Sequence, residues 1–207
     1  MKSKVMRMRY TITATAAAVL LCSSIFSGCG LAESANAGEV TLLNVSDMFS
    51  ARDREIGYDE SECVRIVLQG STAQADSPNV TIEGNVVTVA AEGSYLISGS
   101  LQGRLVVEAD KSDKIHLILD GADISCENSA ALYVQQAGKV FVTTAADSEN
   151  SFRTVGEYEA IDSHNIDGAV YARDDITFNG EGSLKVSSDV GHGIVCKNDL
   201  VIAGGDY

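Results

Sequence analysis

The chain has 207 residues, 29 acidic side chains against 15 basic ones, and a formal charge of −14. That balance excludes nucleic acid as the ordinary partner, because phosphates are gripped by Lys and Arg. It also excludes electrostatic attachment to anionic lipid headgroups, and leaves divalent cations or plain solubility as its uses.

The N-terminus reads as a processing signal. Lys2, Lys4, Arg7 and Arg9 precede an uncharged apolar run from Thr11 to Ile25, and Phe26-Ser27-Gly28-Cys29 follows. A plain signal peptide would end in an Ala-x-Ala-like site. Small residues leading into a cysteine instead resemble the bacterial lipobox, whose Cys receives a diacylglycerol after cleavage just before it. Phe26 stands where that motif usually has Leu. The apolar run is short for a bilayer span of ~20 residues. Residues 1–28 are thus the expected signal peptide, Cys29 the expected lipidation site, and the extracellular face of the cell membrane the expected location. Cleavage removes four basic residues and no acidic ones, which leaves a formal charge of −18.

Residues 29–39 are small and polar and read as a flexible tether. Residues 40–79 read as an N-terminal cap region containing one clear strand, Val64–Leu68, after a charged loop or turn at Phe49–Glu55. Cys63, Cys126 and Cys196 show no metal spacing and read as small buried hydrophobes, so zinc is not expected.

From Val80 the pattern is short β-branched runs between Gly, Asp, Asn and Ser: Val86–Val89, Tyr95–Ser98, Leu105–Val107 and Ile115–Leu119. No helical period is present. An internal repeat decides the architecture. Residues 167–180 (DGAVYARDDITFNG) and 191–204 (GHGIVCKNDLVIAG) align without a gap at an offset of 24. A looser copy lies at Ala131–Gln136, separated by a polar insertion around Asp147–Asn165. Self-similarity at ~20–30 residues in a β pattern predicts an all-β solenoid, a right-handed parallel β-helix over residues 80–207.

Stacking at about 4.8 Å brings Asp174-Asp175 beside Asn198-Asp199. Like charges at that range repel unless neutralised. Calcium, which takes six to eight oxygen ligands, is the predicted cofactor there; screening by Arg173 and Lys197 is the simpler alternative. His116 reads as structural. No nucleophile elbow or Ser/His/Asp arrangement is visible, so no catalytic residue is assigned.

Several runs carry a family resemblance. Phe49–Asp53, Tyr58–Glu62 and Gly93–Gly99 resemble the entry region of secreted bacterial carbohydrate-binding β-helix proteins. Ile118–Ile124, Asp167–Ile176 and His192–Gly205 resemble their coils. The resemblance implies bound calcium at Asp174, Asp175 and Asp199, with Asn198 replacing the usual Asp. It also implies adhesion to extracellular polysaccharide such as cellulose or acidic pectin-like glycans, and a shape related to pectate lyases. The family continues beyond the position of Tyr207, so a C-terminally truncated stack is expected.

The predicted function is non-catalytic, calcium-dependent polysaccharide binding at the cell surface. Tyr133 and Tyr171, one coil apart, are candidate sugar contacts or an aromatic packing ladder, with Arg173 and Lys197 beside them. The alternatives are a polysaccharide lyase, in which Arg or Lys removes a proton acidified by calcium, and a purely structural surface adhesin.

Overall fold

Period-two alternation produces strands where it was predicted, and in two places where it was not. A computed structural model describes residues 48–159 and 164–207. The signal peptide, Cys29 and the tether lie outside the described residues. In chain order the strands are β1 (Val64–Gly70), β2 (Ala73–Ala75), β3 (Val80–Glu83), β4 (Val86–Val89), β5 (Gly93–Gln102), β6 (Arg104–Glu108), β7 (Lys114–Glu127) and β8 (Leu132–Gln136). They continue with β9 (Lys139–Thr144), β10 (Glu149–Val155), β11 (Gly168–Ala172), β12 (Ile176–Gly180), β13 (Ser183–Ser188), β14 (His192–Cys196) and β15 (Leu200–Ile202). Single 3-10 turns at Arg52–Arg54 and Glu60–Glu62 precede β1. The polar insertion expected around Asp147–Asn165 contains β10, whose alternation buries Phe152 completely.

The strands form a nine-stranded and a six-stranded sheet. This corrects the predicted right-handed parallel β-helix: the fold is all-β, with two mixed sheets, mostly parallel strands and no closed barrel. Two features overturn a uniform run of parallel coils. At one end each sheet finishes antiparallel, β2 on β1 and β3 on β4. In the middle the nine-stranded sheet branches, because the 14-residue β7 pairs with β9 through its first half and with β10 through its second. The 24-residue offset itself is realised in register. Val170 pairs with Ile194 and Ile176 with Leu200, while Tyr171 pairs with Tyr133 of the looser copy.

Register turns single residues into columns. Val64, Tyr95, Leu117, Val142 and Phe178 follow one another across the nine-stranded sheet. Val87, Leu105, Leu132 and Val170 do the same across the six-stranded one. All of these belong to or pack on one apolar core, and each large side chain so buried contributes about 1.5–3 kcal/mol. The columns end at β14 and β15, where Leu200 and Ile202 are exposed.

The segment before β1 lies across the outer face of the nine-stranded sheet. Tyr58 and Cys63 pack against Leu96, Ile118 and Ala145, and the Arg52 guanidinium sits 4.5 Å above the Phe141 ring. Asp53 anchors it. Its carboxylate accepts from Lys139 Nζ at 2.7 Å, Thr177 Oγ1 at 2.8 Å, and both the backbone N–H and the hydroxyl of Ser50.

Candidate functional site

The acidic turn forms as predicted in place but not as an oxygen cage. Asp175 Oδ1 accepts from Asn198 Nδ2 at 2.5 Å and from the Asp199 backbone N–H at 3.3 Å. Asp174 turns the other way and accepts from the Ala137 N–H at 3.0 Å. The carboxylates thus tie neighbouring strands together by charge-assisted hydrogen bonds, and Asn198 presents its amide N–H rather than its carbonyl oxygen. Among the described residues no group of three or more His, Cys, Asp or Glu side chains could hold a metal ion. As arranged, the turn presents N–H donors to Asp175 rather than a cage of oxygens. Arg173 is half-buried and Lys197 exposed.

Tyr133 and Tyr171 are brought together, edge to face, with ring centroids 5.9 Å apart. They are 3 % and 2 % exposed, packed with Val106 and Ile166 on the outer face of the six-stranded sheet and flanked by Tyr158. Such burial leaves no ring face open for a sugar. Lys197 Nζ lies 5.4 Å from the Tyr171 centroid, a cation over the ring.

A different surface offers an open, hydrogen-bonding concavity. The second half of β5, the second half of β7, β10 and β13 run parallel and side by side. Their outward residues form two rows: Ser100, Asp123, Ser151 and Lys185, then Gln102, Ser125, Arg153 and Ser187. Within the first row, Ser151 Oγ donates to Asp123 Oδ1. Beyond the second row, Arg153 pairs loosely with Asp189 at 3.7 Å. Beneath the rows Leu101, Ile124 and Phe152 belong to the core.

A groove of about 800 Å³ opens at the C-terminal ends of β5 and β7, lined by Asn85, Gln102, Gly103, Arg104, Asp123, Ser125, Cys126, Glu127, Asn128, Ser129 and Glu159 among others. That volume falls in the range of small-molecule sites, ~300–1,000 Å³. Three devices shape it. Gly103 lies so close to β4 that an added Cβ would sit 1.9 Å from the Asn85 carbonyl oxygen. Asn85 Nδ2 donates to the Gln102 carbonyl at 2.9 Å and holds that corner. Asn128 adopts a left-handed backbone, φ 66°, and its carbonyl accepts from the Glu159 N–H at 2.8 Å. The Cys126 thiol is pushed up by burial and stays protonated.

Comparison with known proteins places the chain in a family. A family model described as "Carbohydrate-binding domain-containing protein" matches residues 83–207, more than half of the chain. The chain belongs to this carbohydrate-binding domain family. A curated relative of the same description from Acetivibrio thermocellus is 32 % identical over 146 residues, covering 69 % of this chain and 51 % of the relative. The chain therefore spans about half the length of that relative. A solved structure, described as the polysaccharide lyase-like protein from C. thermocellum in a gadolinium derivative, is 31 % identical. It superposes with a TM-score of 0.66 over 69 % of this chain and 59 % of its own. The family match takes in β4 to β15 and so contains nearly all of the groove.

Sequence reasoning missed this groove. The signal was present as alternation in Glu149–Val155 and Ser183–Ser188, but the first fell inside the segment read as a polar insertion and the second was not singled out.

Proposed function

We propose that this carbohydrate-binding family member binds a polysaccharide without cleaving it, in the groove beside Arg104 and Asn128 and along the polar rows of β5, β7, β10 and β13. The observation that carries the reading is the groove itself: carboxylate, amide, hydroxyl and guanidinium groups crowd one concavity within the family-matched region. Sugars offer alternating hydroxyl donors and acceptors, and such a mixed lining matches them. Successive strands are spaced at about 4.8 Å, close to the length of one hexopyranose unit, so each outward row offers a repeating contact to a repeating chain.

In the same proposal the domain stands outside the cell on a lipid carried by Cys29, with residues 29–39 as its tether. Labelling by radioactive palmitate in wild type, and its loss in Cys29→Ala, is the expected result.

The test of binding is affinity electrophoresis of residues 40–207 in gels containing soluble polysaccharides. Retardation by at least one glycan, lost on Arg104→Ala, supports the reading. Incubation with polygalacturonate, with and without calcium, is followed by absorbance of unsaturated products. Sustained product formation overturns the non-catalytic reading in favour of a lyase; the structural neighbour is described as polysaccharide lyase-like.

A further inference from the structure

The segment before β1, residues 49–63, is a strap whose one buried side chain carries a charge. Asp53 is 5 % exposed, and every other residue of the segment is half-buried or exposed. Its apolar packing comes from half-buried Tyr58 and Cys63 on Leu96, Ile118 and Ala145. Its backbone N–H groups close turns within the segment, Arg54 onto Ala51, Glu55 onto Arg52, Glu62 onto Asp59 and Cys63 onto Glu60. Toward the sheet, the carbonyls of Asp53 and Glu55 accept from a single side chain, Asn179 Nδ2, at 3.0 and 3.1 Å. Few buried apolar contacts mark the parts of a fold that open while the rest stays folded.

The sheet face beneath the strap is polar as well. Register places His116, Phe141 and Thr177 in one outward row and Ile118, Thr143 and Asn179 in the next. His116, Thr143, Thr177 and Asn179 are all buried. A chain of hydrogen bonds runs from His116 through Thr143 and Asn179 to the strap carbonyls. Contacts that stay closed are apolar at their centre, and those that open and close are more polar.

Charge balance holds this contact shut. The strap supplies Arg52, Asp53 and Glu55, and β9 supplies Lys139. Exposed Lys114 of β7 stands next to Lys139 in register. β5 and β12 add only uncharged Ser94, Thr177 and Asn179 to these rows. Arg52 and Lys139 lie 4.5 and 5.3 Å from the Phe141 ring centroid, and Phe141 is the register partner of His116. A proton on His116 adds a cation beside these two. A proton on Asp53 removes the partner of Lys139. Together they shift the contact by two positive charges, and like charges at that range repel.

We propose that the strap is an acid-released latch: proton uptake by His116 and Asp53 lifts residues 49–62 off the nine-stranded sheet while both sheets stay folded. The docked state resists both protons. Burial, reinforced by Arg52, lowers His116 to about 4, against about 6.5 when it is free. Burial raises Asp53, but hydrogen bonds from Lys139, Ser50 and Thr177 outweigh it and hold the carboxylate below its usual range. Docking therefore weakens as pH falls, through His116 from about 6.5 to 4 and through Asp53 below about 4. Release bares the His116–Phe141–Thr177 row and adds up to about 50 Å of extended chain between the sheet and whatever precedes the strap. The device is independent of the groove and of what binds there.

The chain contains no tryptophan, so Tyr58→Trp places a single emitter on the strap. The full chain carrying Tyr58→Trp, purified in detergent, is compared with the same chain carrying His116→Gln or Asp53→Asn. Between pH 7 and pH 4 the emission is expected to move to the red and acrylamide quenching to rise at least twofold, reversibly, while the far-ultraviolet signal of the sheets holds. His116→Gln keeps a donor to Thr143 that does not titrate, and its transition is expected at least one pH unit lower. Asp53→Asn is expected to show the red-shifted emission already at pH 7.

Emission and sheet signal that change together, emission that does not move by pH 4, or a transition that His116→Gln leaves in place overturns the proposal. If Tyr58→Trp lacks the sheet signal at pH 7, the comparison is made by hydrogen exchange on the chain without that substitution. Residues 49–63 are then expected to lose protection at pH 4, after correction for intrinsic rates, while β7 and β9 keep theirs. Equal protection of the strap at both pH values overturns the proposal.

Discussion

The Asp53 carboxylate accepts the Lys139 ammonium at 2.7 Å across 86 residues of chain. Asp53 is 5 % exposed and the Lys139 side chain 22 %, so this is a largely desolvated pair. Removing one partner leaves the other stranded, and such a loss typically costs 3–5 kcal/mol. Asp53→Ala is expected to lower stability by roughly 3 kcal/mol, read as a shift in the urea midpoint at constant slope. An unchanged midpoint would show that the N-terminal strap adds nothing to the sheet beneath it.

The same carboxylate gives acid sensitivity with a definite sign. Burial pushes it up, but the Lys139 ammonium and hydrogen bonds from Ser50 and Thr177 outweigh that and hold it well below the usual carboxylate range. In the unfolded chain it protonates near pH 4. Its contribution is therefore complete above about pH 4 and is lost as pH falls below that value. The stability gap between wild type and Asp53→Asn should shrink steadily in that window. A gap that widens on acidification contradicts the assignment.

His116 titrates in a higher window. Its Nε2 lies 2.8 Å from Thr143 Oγ1, and Thr143 in turn donates to Asn179 Oδ1 at 2.6 Å. Asn179 Nδ2 donates to the Asp53 and Glu55 carbonyls, which fixes its amide and makes His116 the donor to Thr143. Burial, reinforced by Arg52, lowers His116 to about 4, against about 6.5 when unfolded. Stability should fall as pH drops from about 6.5 towards 4. His116→Gln is expected to flatten that part of the urea-midpoint profile; an identical slope in both proteins counts against the role.

Asn150 supports the face that carries the outward rows. It is 5 % exposed. Its Oδ1 accepts from the Ala122 N–H at 2.9 Å, where β7 turns its corner, and its Nδ2 donates to Ser148 Oγ and the Ser183 carbonyl. Asn150→Leu fills the volume but orphans Ala122 N–H and the Ser183 carbonyl. The expected loss is about 2–4 kcal/mol from two unsatisfied buried groups, with weaker glycan retention, checked by chemical melts and affinity gels.

Calcium offers a direct check of the acidic turn. Asp175 is engaged by N–H donors from Asn198 and Asp199. Millimolar calcium is expected to raise the melting temperature of wild type no more than that of Asp175→Asn. A stabilisation seen in wild type and abolished in Asp175→Asn would establish calcium at that turn and reopen a metal-bridged route to acidic glycans.

How much of this was legible follows the reach of each signal. The neighbours Asp175 and Asp199 were legible because an ungapped repeat converts a sequence offset into strand register. What their side chains do there was not, because the rotamers that hand Asp175 to N–H donors leave no trace in spacing. Tyr133 beside Tyr171 was legible for the same reason, but their burial depends on Tyr158 and Ile166, which lie outside the repeat. The strap was unreadable as an anchor, since Asp53 meets Lys139 and Thr177 at sequence separations of 86 and 124. The fold was misjudged at β7, where a single long strand serves two neighbours and no repeat of uniform length describes it.

That double service of β7 sets what the chain can tolerate. Its first half lies under the strap and its second half forms the groove wall, joined at Asp120-Gly121 with Gly121 at φ 73°. A residue inserted there would exchange inside for outside along everything that follows, and a slip of one position inverts a strand's two faces. Change in length is thus confined to the connections around β7, and its corner acts as the fixed datum from which both surfaces are measured.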